Sequence, residues 1–222
     1  MKTVAFYTLG CKLNFSETSS ISRTFEEQGF TKVDFSETAE IYVINTCSVT
    51  ENADKKCKKL VKDIKKKAPE SYVIIIGCFA QLKPNEIESI PGVDADLGAN
   101  EKFNLIKSLG SFKKTNEPIV IATDIDTVED YHSSYSINDR TRTFLKVQDG
   151  CDYSCTFCTI PLARGASRSD TIENIVNTAT KIALTNVKEI VLTGVNIGDF
   201  GIINGEKKET FLDLCIALDD IE

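Results

Sequence analysis

The sequence predicts an α/β protein: a doubly wound parallel sheet followed by a second, smaller β/α unit. Three observations carry that class. Apolar, β-rich runs alternate with helix-period runs through the first hundred residues, and such alternation implies parallel strands joined by helical crossovers. Most of the strand-like runs end at a glycine or a short polar turn. Finally, 222 residues with 41% apolar and 27% charged side chains is the balance of a folded protein of one or two domains. That balance excludes collagen-like, coiled-coil and disordered classes.

The elements follow in order. Residues 3–9 form an apolar run stopped by Gly10, and residues 14–28 read as a helix ending at Gly29. Residues 41–45 and 72–76 are further strands, the latter stopped by Gly77. Between them lies an amphipathic helix with Cys57, Leu60, Val61, Ile64 and Ala68 on one stripe. Ser48 with Glu51 fits a capping box at its start, and Pro84 opens a short helix through Ile90. These elements make a domain over 1–110. Residues 111–142 are rich in Ser, Thr, Asn and Asp, with one β-like run at 119–122, and read as a linker. The second unit, 143–222, begins with a strand at 143–148 and a loop holding three cysteines. A helix follows with Ile172, Ile175, Val176, Ala179, Ile182 and Ala183 on its apolar face, and Asp170 and Glu173 suit its N-terminus. A strand at 189–193 and a helix at 211–219 complete two β/α units, too few to close a barrel.

The net charge of −7 disfavours a nucleic-acid binder that uses its whole surface, though not a local basic patch. The longest apolar run, 72–80, is far short of a membrane span. The short run at 4–9 is closed at once by Gly10, Cys11 and Lys12, unlike a secretory signal. A cytoplasmic protein without membrane partners is expected, and its thiols stay reduced. Eight cysteines there point to metal or cluster ligation before disulfides.

Cys151, Cys155 and Cys158 form C-x3-C-x2-C after Asp149-Gly150. Random placement of eight cysteines would yield about 0.01 such triplets. Three thiolates on a tight loop can each bind one iron of a 4Fe-4S cube, leaving the fourth open for another ligand. A zinc knuckle or three loop thiols is the alternative, with only His132 available as an imidazole. Cys11, Cys47 and Cys78 each follow a predicted strand, so a parallel sheet brings them to its ligand-binding edge. They are either small buried residues or ligands of a second incomplete cluster. Cys47 also lies near a predicted helix N-terminus, which favours a thiolate. Cys57 and Cys215 sit among apolar helix neighbours and read as core.

The triplet after Asp149-Gly150 resembles the radical S-adenosylmethionine (SAM) signature, and three separated cysteines before it resemble the methylthiotransferases. Four stretches carry the likeness further: Thr8-Leu9-Gly10-Cys11-Lys12-Leu13-Asn14, Asn45-Thr46-Cys47-Ser48-Val49-Thr50, Gly77-Cys78-Phe79-Ala80-Gln81 and Leu192-Thr193-Gly194-Val195-Asn196-Ile197-Gly198. They are similar to the branch acting on N6-threonylcarbamoyladenosine in tRNA. Related branches act on isopentenyladenosine in tRNA and on an aspartate of a ribosomal protein.

The resemblance implies two 4Fe-4S clusters. Cys151, Cys155 and Cys158 would hold the one that binds SAM, with Phe157 by the adenine. Cys11, Cys47 and Cys78 would hold an auxiliary cluster carrying the sulfur to be inserted. One SAM would methylate that sulfur; a second, reductively cleaved, would yield a deoxyadenosyl radical that activates C2 of the adenine next to the anticodon. The tRNA anticodon stem-loop, an electron donor such as a flavodoxin, and a sulfur donor would be partners. An unactivated aromatic C–H offers no acidic proton, so the lack of a Ser/His/Asp set fits radical chemistry carried by a cofactor.

Thr193-Gly194-Val195-Asn196 ends a strand on the rim that carries the cysteine loop. Gly194 would let backbone approach SAM and Asn196 could hydrogen-bond it, or the segment is an ordinary strand-to-loop turn. Arg164, Gly165 and Arg168 could hold phosphate or the SAM carboxylate, or form a solvated arginine pair. The run Lys55, Lys56, Lys58, Lys59, Lys62, Lys65, Lys66 and Lys67 reads first as a solvated helix face and second as an RNA patch. Family members continue through a six-stranded partial barrel to a small RNA-binding β-domain. This chain stops near the second barrel helix, so a fragment inactive on its own is expected. The competing readings are a ribosomal-protein methylthiotransferase, an iron–sulfur module without turnover and a zinc-binding structural protein.

Overall fold

Strand β1 (Thr3–Thr8) leads into helix α1 (Lys12–Glu27), and β2 (Thr31–Lys32) returns beside it. The structure, a computed structural model, describes residues 2–47, 51–137 and 141–221. β3 (Ile41–Thr46), α2 (Glu51–Lys67) and β4 (Tyr72–Gly77) follow, then the short helices α3 (Cys78–Leu82) and α4 (Pro84–Glu88). β5 (Ala95–Leu97), α5 (Leu105–Leu109) and β6 (Ile119–Ile121) complete one six-stranded sheet of order β2-β1-β3-β4-β5-β6, parallel throughout.

The doubly wound expectation holds because alternate strand residues bury on opposite faces. Tyr42, Ile44, Val73 and Ile75 pack with Cys57, Val61, Ile64, Phe79 and Ile87 on the α2 side. Ile41, Val43, Ile74 and Ile76 pack with Ile21, Phe25, Leu105 and Leu109 on the α1 side. Every residue of β3 and β4 is buried, as a strand covered on both faces requires. Full burial of such side chains contributes about 1.5–3 kcal/mol each. The expected linker is not all connection: Ile119–Ile121 pairs with β5 and forms the sheet's outer edge. Ser48 lies outside the described residues, so its capping box with Glu51 does too.

The second unit runs through β7 (Thr143–Lys146), β8 (Gln148–Asp149), α6 (Ile160–Arg164), β9 (Arg168–Ser169), α7 (Ile172–Ala183), β10 (Ile190–Thr193), β11 (Ile202–Ile203), β12 (Glu206–Lys207) and α8 (Phe211–Asp219). β7 and β10 pair in parallel around the crossover helix α7, and β8 pairs antiparallel with β9. The N-cap of α7 is Thr171, whose hydroxyl accepts from the Asn174 amide at 3.2 Å; Asp170 instead accepts from the Asn174 side chain. Leu145, Val147, Ile175, Ala179, Ile182, Phe200 and Leu214 form this unit's core.

Cys57 is a core residue, as expected, and burial pushes its thiol up to about 12. Cys215 is not: it is exposed, because α8 packs through Leu214 while Leu212 and Ile216 on the same helix face outward.

The two units meet along α1. Phe15 packs edge-on against Phe144 at 5.8 Å, the Ser16 and Ser134 hydroxyls are 3.0 Å apart, and Arg23 stacks 4.1 Å over Tyr135 while donating to its carbonyl. This docking explains why Ser16, Glu17 and Ser19 of α1 are buried.

A thiol-lined cavity at the sheet edge

In strand order 2-1-3-4-5 the chain reverses direction between β1 and β3, and ligands bind in the crevice beyond the carboxyl ends there. Cys11 caps α1 directly after β1, Cys47 follows β3, and Cys78 opens α3 after β4. All three line one cavity of about 200 Å³, with Leu13, Asn14 and Ile160 among its walls. Parallel strands with short exits bring thiols more than thirty residues apart to one place.

Two buried asparagines fix the loops. The Asn14 side-chain amide donates to Asn45 Oδ1 and to the Thr46 carbonyl, both at 3.1 Å. The Asn45 amide donates back to the Asn14 carbonyl and to Thr18 Oγ1, both at 3.0 Å. Asn14 Oδ1 also accepts from Cys11 Sγ at 3.2 Å. Gly77 has φ +99°, and a Cβ there would stand 2.5 Å from Asn45 Oδ1, so only glycine turns the chain toward Cys78 without disturbing that pair. Both asparagines lie in the stretches that carried the family resemblance, yet their joint role is invisible without the fold.

The electrostatics favour thiolate at Cys78. The neighbouring Cys47 sulfur first, and then the positive charge of Arg164 and Lys102 against the cost of burial, bring the Cys78 thiol down to about 6. Among the described residues no cysteine is in a disulfide. Among the described residues no three His, Cys, Asp or Glu groups close on a point as ligands of one ion do. Three thiols spread around a cavity, with no imidazole among them, suit a polynuclear iron–sulfur group better than a single hard cation.

The second cysteine loop is pinned at its base. Cys151 N donates to the Gly165 carbonyl at 3.0 Å, and Ser167 N donates to Asp152 Oδ1 at 2.8 Å. Gly150 has φ +69°, and a Cβ there would lie 1.9 Å from the Ala166 carbonyl oxygen. Cys155 is exposed, Cys151 and Cys158 are half-buried, and Cys158 N donates to the Cys155 carbonyl at 3.0 Å. Phe157 is 89% exposed.

Gln148 joins this loop to the next strand end. Its amide donates to the carbonyls of Asp149 and Gly150, and its Oε1 accepts from the amides of Val195 and Asn196, both at 2.8 Å. Gly194 lines the thiol cavity, and a Cβ on it would meet Gln148 Oε1 at 2.9 Å, which gives the glycine a packing reason of its own. The Asn196 side chain donates to Asp199 at 2.8 Å. Arg168 donates to the carbonyls of Asp130, Arg164 and Ala166.

Arg164 is neither solvated nor aimed at an outside phosphate. It is buried and forked onto Glu17 of α1, Nη1 to Oε1 at 3.0 Å and Nη2 to Oε2 at 3.3 Å, and Nη1 also donates to Asp149 Oδ1 at 2.9 Å. Lys102 reaches Glu17 at 2.7 Å; Lys146 bridges Glu17 at 3.4 Å and Asp149 at 3.2 Å. Burial alone would raise the Glu17 carboxyl, but Arg164, Lys102 and Lys146 outweigh it and hold the group down at about 2. Glu17, Lys102, Lys146 and Asp149 carry no local signal as a set, because Glu17 and Lys102 stand far in the sequence from each other and from Lys146 and Asp149, and all meet only in the fold. Of the α2 lysines, Lys58 pairs with Glu86 and Lys65 with Asp94, while Lys55, Lys56, Lys59, Lys62 and Lys66 are exposed.

A parallel α/β sheet with three cysteines around one cavity at its switch point, and a second cysteine loop on the unit docked beside it, is the arrangement to set beside known proteins. Residues 3–98 match the model of the uncharacterized protein family UPF0004. The chain is 40% identical over 203 residues to threonylcarbamoyladenosine tRNA methylthiotransferase MtaB of Bacillus subtilis, covering 90% of this chain and 45% of that protein. It is 35% identical over 221 residues to the protein of the same name from Aquifex aeolicus, covering 99% and 54%. Against ribosomal protein uS12 methylthiotransferase RimO of Prochlorococcus marinus the identity is 31% over 202 residues, covering 90% and 43%. The chain belongs to the methylthiotransferase family and spans about half the length of the curated relatives it matches.

Proposed function

We propose that this chain is part of a tRNA-modifying enzyme that installs a methylthio group at C2 of N6-threonylcarbamoyladenosine beside the anticodon. The observation that carries the reading is the convergence of Cys11, Cys47 and Cys78 on one cavity, beside a loop bearing Cys151, Cys155 and Cys158. Each trio would hold a 4Fe-4S cluster one protein ligand short. Bound there, the two clusters would supply an electron for SAM cleavage and a sulfur for transfer. Phe157, Gly194, Asn196 and Arg168 would line the SAM side. The chain's own part is positional: Asn14 and Asn45 fix the early thiols, and Gln148 holds the strand end at Gly194 against the second loop. A flavodoxin-type reductant and a separate sulfur donor would serve the reaction, in the cytoplasm. The tRNA branch is preferred to the ribosomal-protein branch because identity is higher to the relatives named for threonylcarbamoyladenosine.

Anaerobic reconstitution with iron and sulfide tests the cluster assignment. About eight irons per chain are expected, falling by half when either trio is replaced by alanine; zinc without iron would sink the reading. For the substrate, a gene encoding this chain within its complete protein is introduced into a bacterium lacking the methylthiolated nucleoside. Mass spectrometry of digested tRNA should then show it. Modified ribosomal protein with unmodified tRNA would assign the other branch.

A further inference from the structure

Around Glu17 and Asp149, both buried, gather Lys102, Lys146 and Arg164 within hydrogen-bond distance, with Arg168 at 3.7 Å from Asp149. Burial pushes the Lys102 ammonium down, yet even with that lysine neutral three cations face two carboxylates. Lys146 is partly compensated by the faces of Phe103 and Tyr131, 5.0 and 5.1 Å from its nitrogen. Among the described residues no aromatic ring faces Arg164, and it lines the cavity that also holds Cys11, Cys47 and Cys78. A buried cation in excess is costly unless an anion faces it, and the cavity that Arg164 lines with Cys11, Cys47 and Cys78 is where such an anion would stand.

We propose that Arg164 is a positioning residue that sets the electrostatic field of the thiol cavity: clamped by Glu17 and Asp149, it presents the positive charge that balances an anionic, thiolate-held iron–sulfur group. This rests on the reading that Cys11, Cys47 and Cys78 hold such a group. The sign of the effect follows from charge. Reduction adds an electron, so a nearby cation favours the reduced state and a nearby carboxylate opposes it.

The test uses the full 222-residue chain with Cys151, Cys155 and Cys158 replaced by alanine, so that one cluster remains. Iron per chain and the midpoint potential, followed by electron paramagnetic resonance, are measured for this parent and for Arg164→Met, Arg164→Lys and Glu17→Gln. Arg164→Met should shift the midpoint to more negative values, Glu17→Gln to more positive values, and Arg164→Lys should stay near the parent. A purely structural role would move Arg164→Met and Glu17→Gln the same way; that result, or no shift in either, overturns the inference. If Arg164→Met does not fold, Glu17→Gln decides, an unchanged or more negative midpoint counting against it. A parent that retains no iron overturns the cluster reading and this inference with it, whereas iron retained with unshifted potentials overturns this inference alone.

Discussion

Glu17 and Arg164 are separated by 147 residues and meet in a two-pronged buried ion pair that joins α1 to the unit carrying the second cysteine loop. Asp149 shares the same guanidinium from two residues before Cys151. One network therefore reaches the neighbourhood of both cysteine sets and fixes where the two units stand relative to each other.

Cutting the pair on one side leaves a buried charge without its partner. Glu17→Leu or Arg164→Met alone should cost about 3–5 kcal/mol in urea unfolding. The double replacement should cost clearly less than the two singles together, because the groups interact directly. Additive losses would mean that each residue stabilises the fold independently.

The low Glu17 pKa makes the network acid-sensitive. The carboxyl sits at about 2 in the folded chain against an ordinary 4.5. Its stabilisation is complete above pH 4.5 and is lost as the pH falls from there toward 2, amounting to about 3 kcal/mol. In Glu17→Gln that part of the acid transition should disappear, leaving a flatter stability profile over the same range.

Asp96 behaves in the opposite sense. It is 1% exposed on β5, neither carboxyl oxygen has a hydrogen-bond partner among the described residues, and burial raises its pKa to about 8. The folded chain holds a proton there that the unfolded chain releases near 3.8. Stability should therefore fall as pH rises from about 4 to about 8, by as much as roughly 5 kcal/mol. Asp96→Asn should remove this slope and melt higher than the parent at pH 8; an equal slope in both would refute the assignment.

Gly77→Ala tests the turn that delivers Cys78. The positive φ costs about 1–3 kcal/mol for a residue with a side chain. The added methyl also meets Asn45 Oδ1 and the Thr46 carbonyl at 2.5 and 2.6 Å. Thermal unfolding should shift down, and iron retained after reconstitution should drop even when the other trio is intact. Gly29→Ala serves as control, since open space surrounds a Cβ there and only its own φ of +83° is strained.

Local pattern exposed what repeats locally. The runs ending at Gly10 and Gly77, and the stripe from Cys57 to Ala68, placed β1, β4 and α2 within a residue or two. Ala95–Leu97 escaped, a three-residue strand whose identity comes from pairing rather than periodicity, and the β-like run at 119–122 gave no sign that it closes the edge of the sheet. Cys215 was misjudged because helical neighbours such as Leu212 and Ile216 imply an apolar stripe without saying what covers it. Arg164 reads from the sequence as a phosphate or carboxylate holder, or half of a solvated pair, because nothing adjacent in the chain announces Glu17 as its partner.

The amino-acid order by itself determined the alternation of strands and helices, the cysteine spacing and the family likeness, since these depend on neighbours a few residues apart. The tertiary structure alone decided that three distant thiols share one cavity, that two asparagines lock them, and that Glu17, Asp149 and Arg164 form a buried charged joint beneath it. Such contacts link groups from about thirty to nearly 150 residues apart, and only the packed sheet and the unit docked on α1 bring them within a few ångströms and out of water, where their charges act strongly.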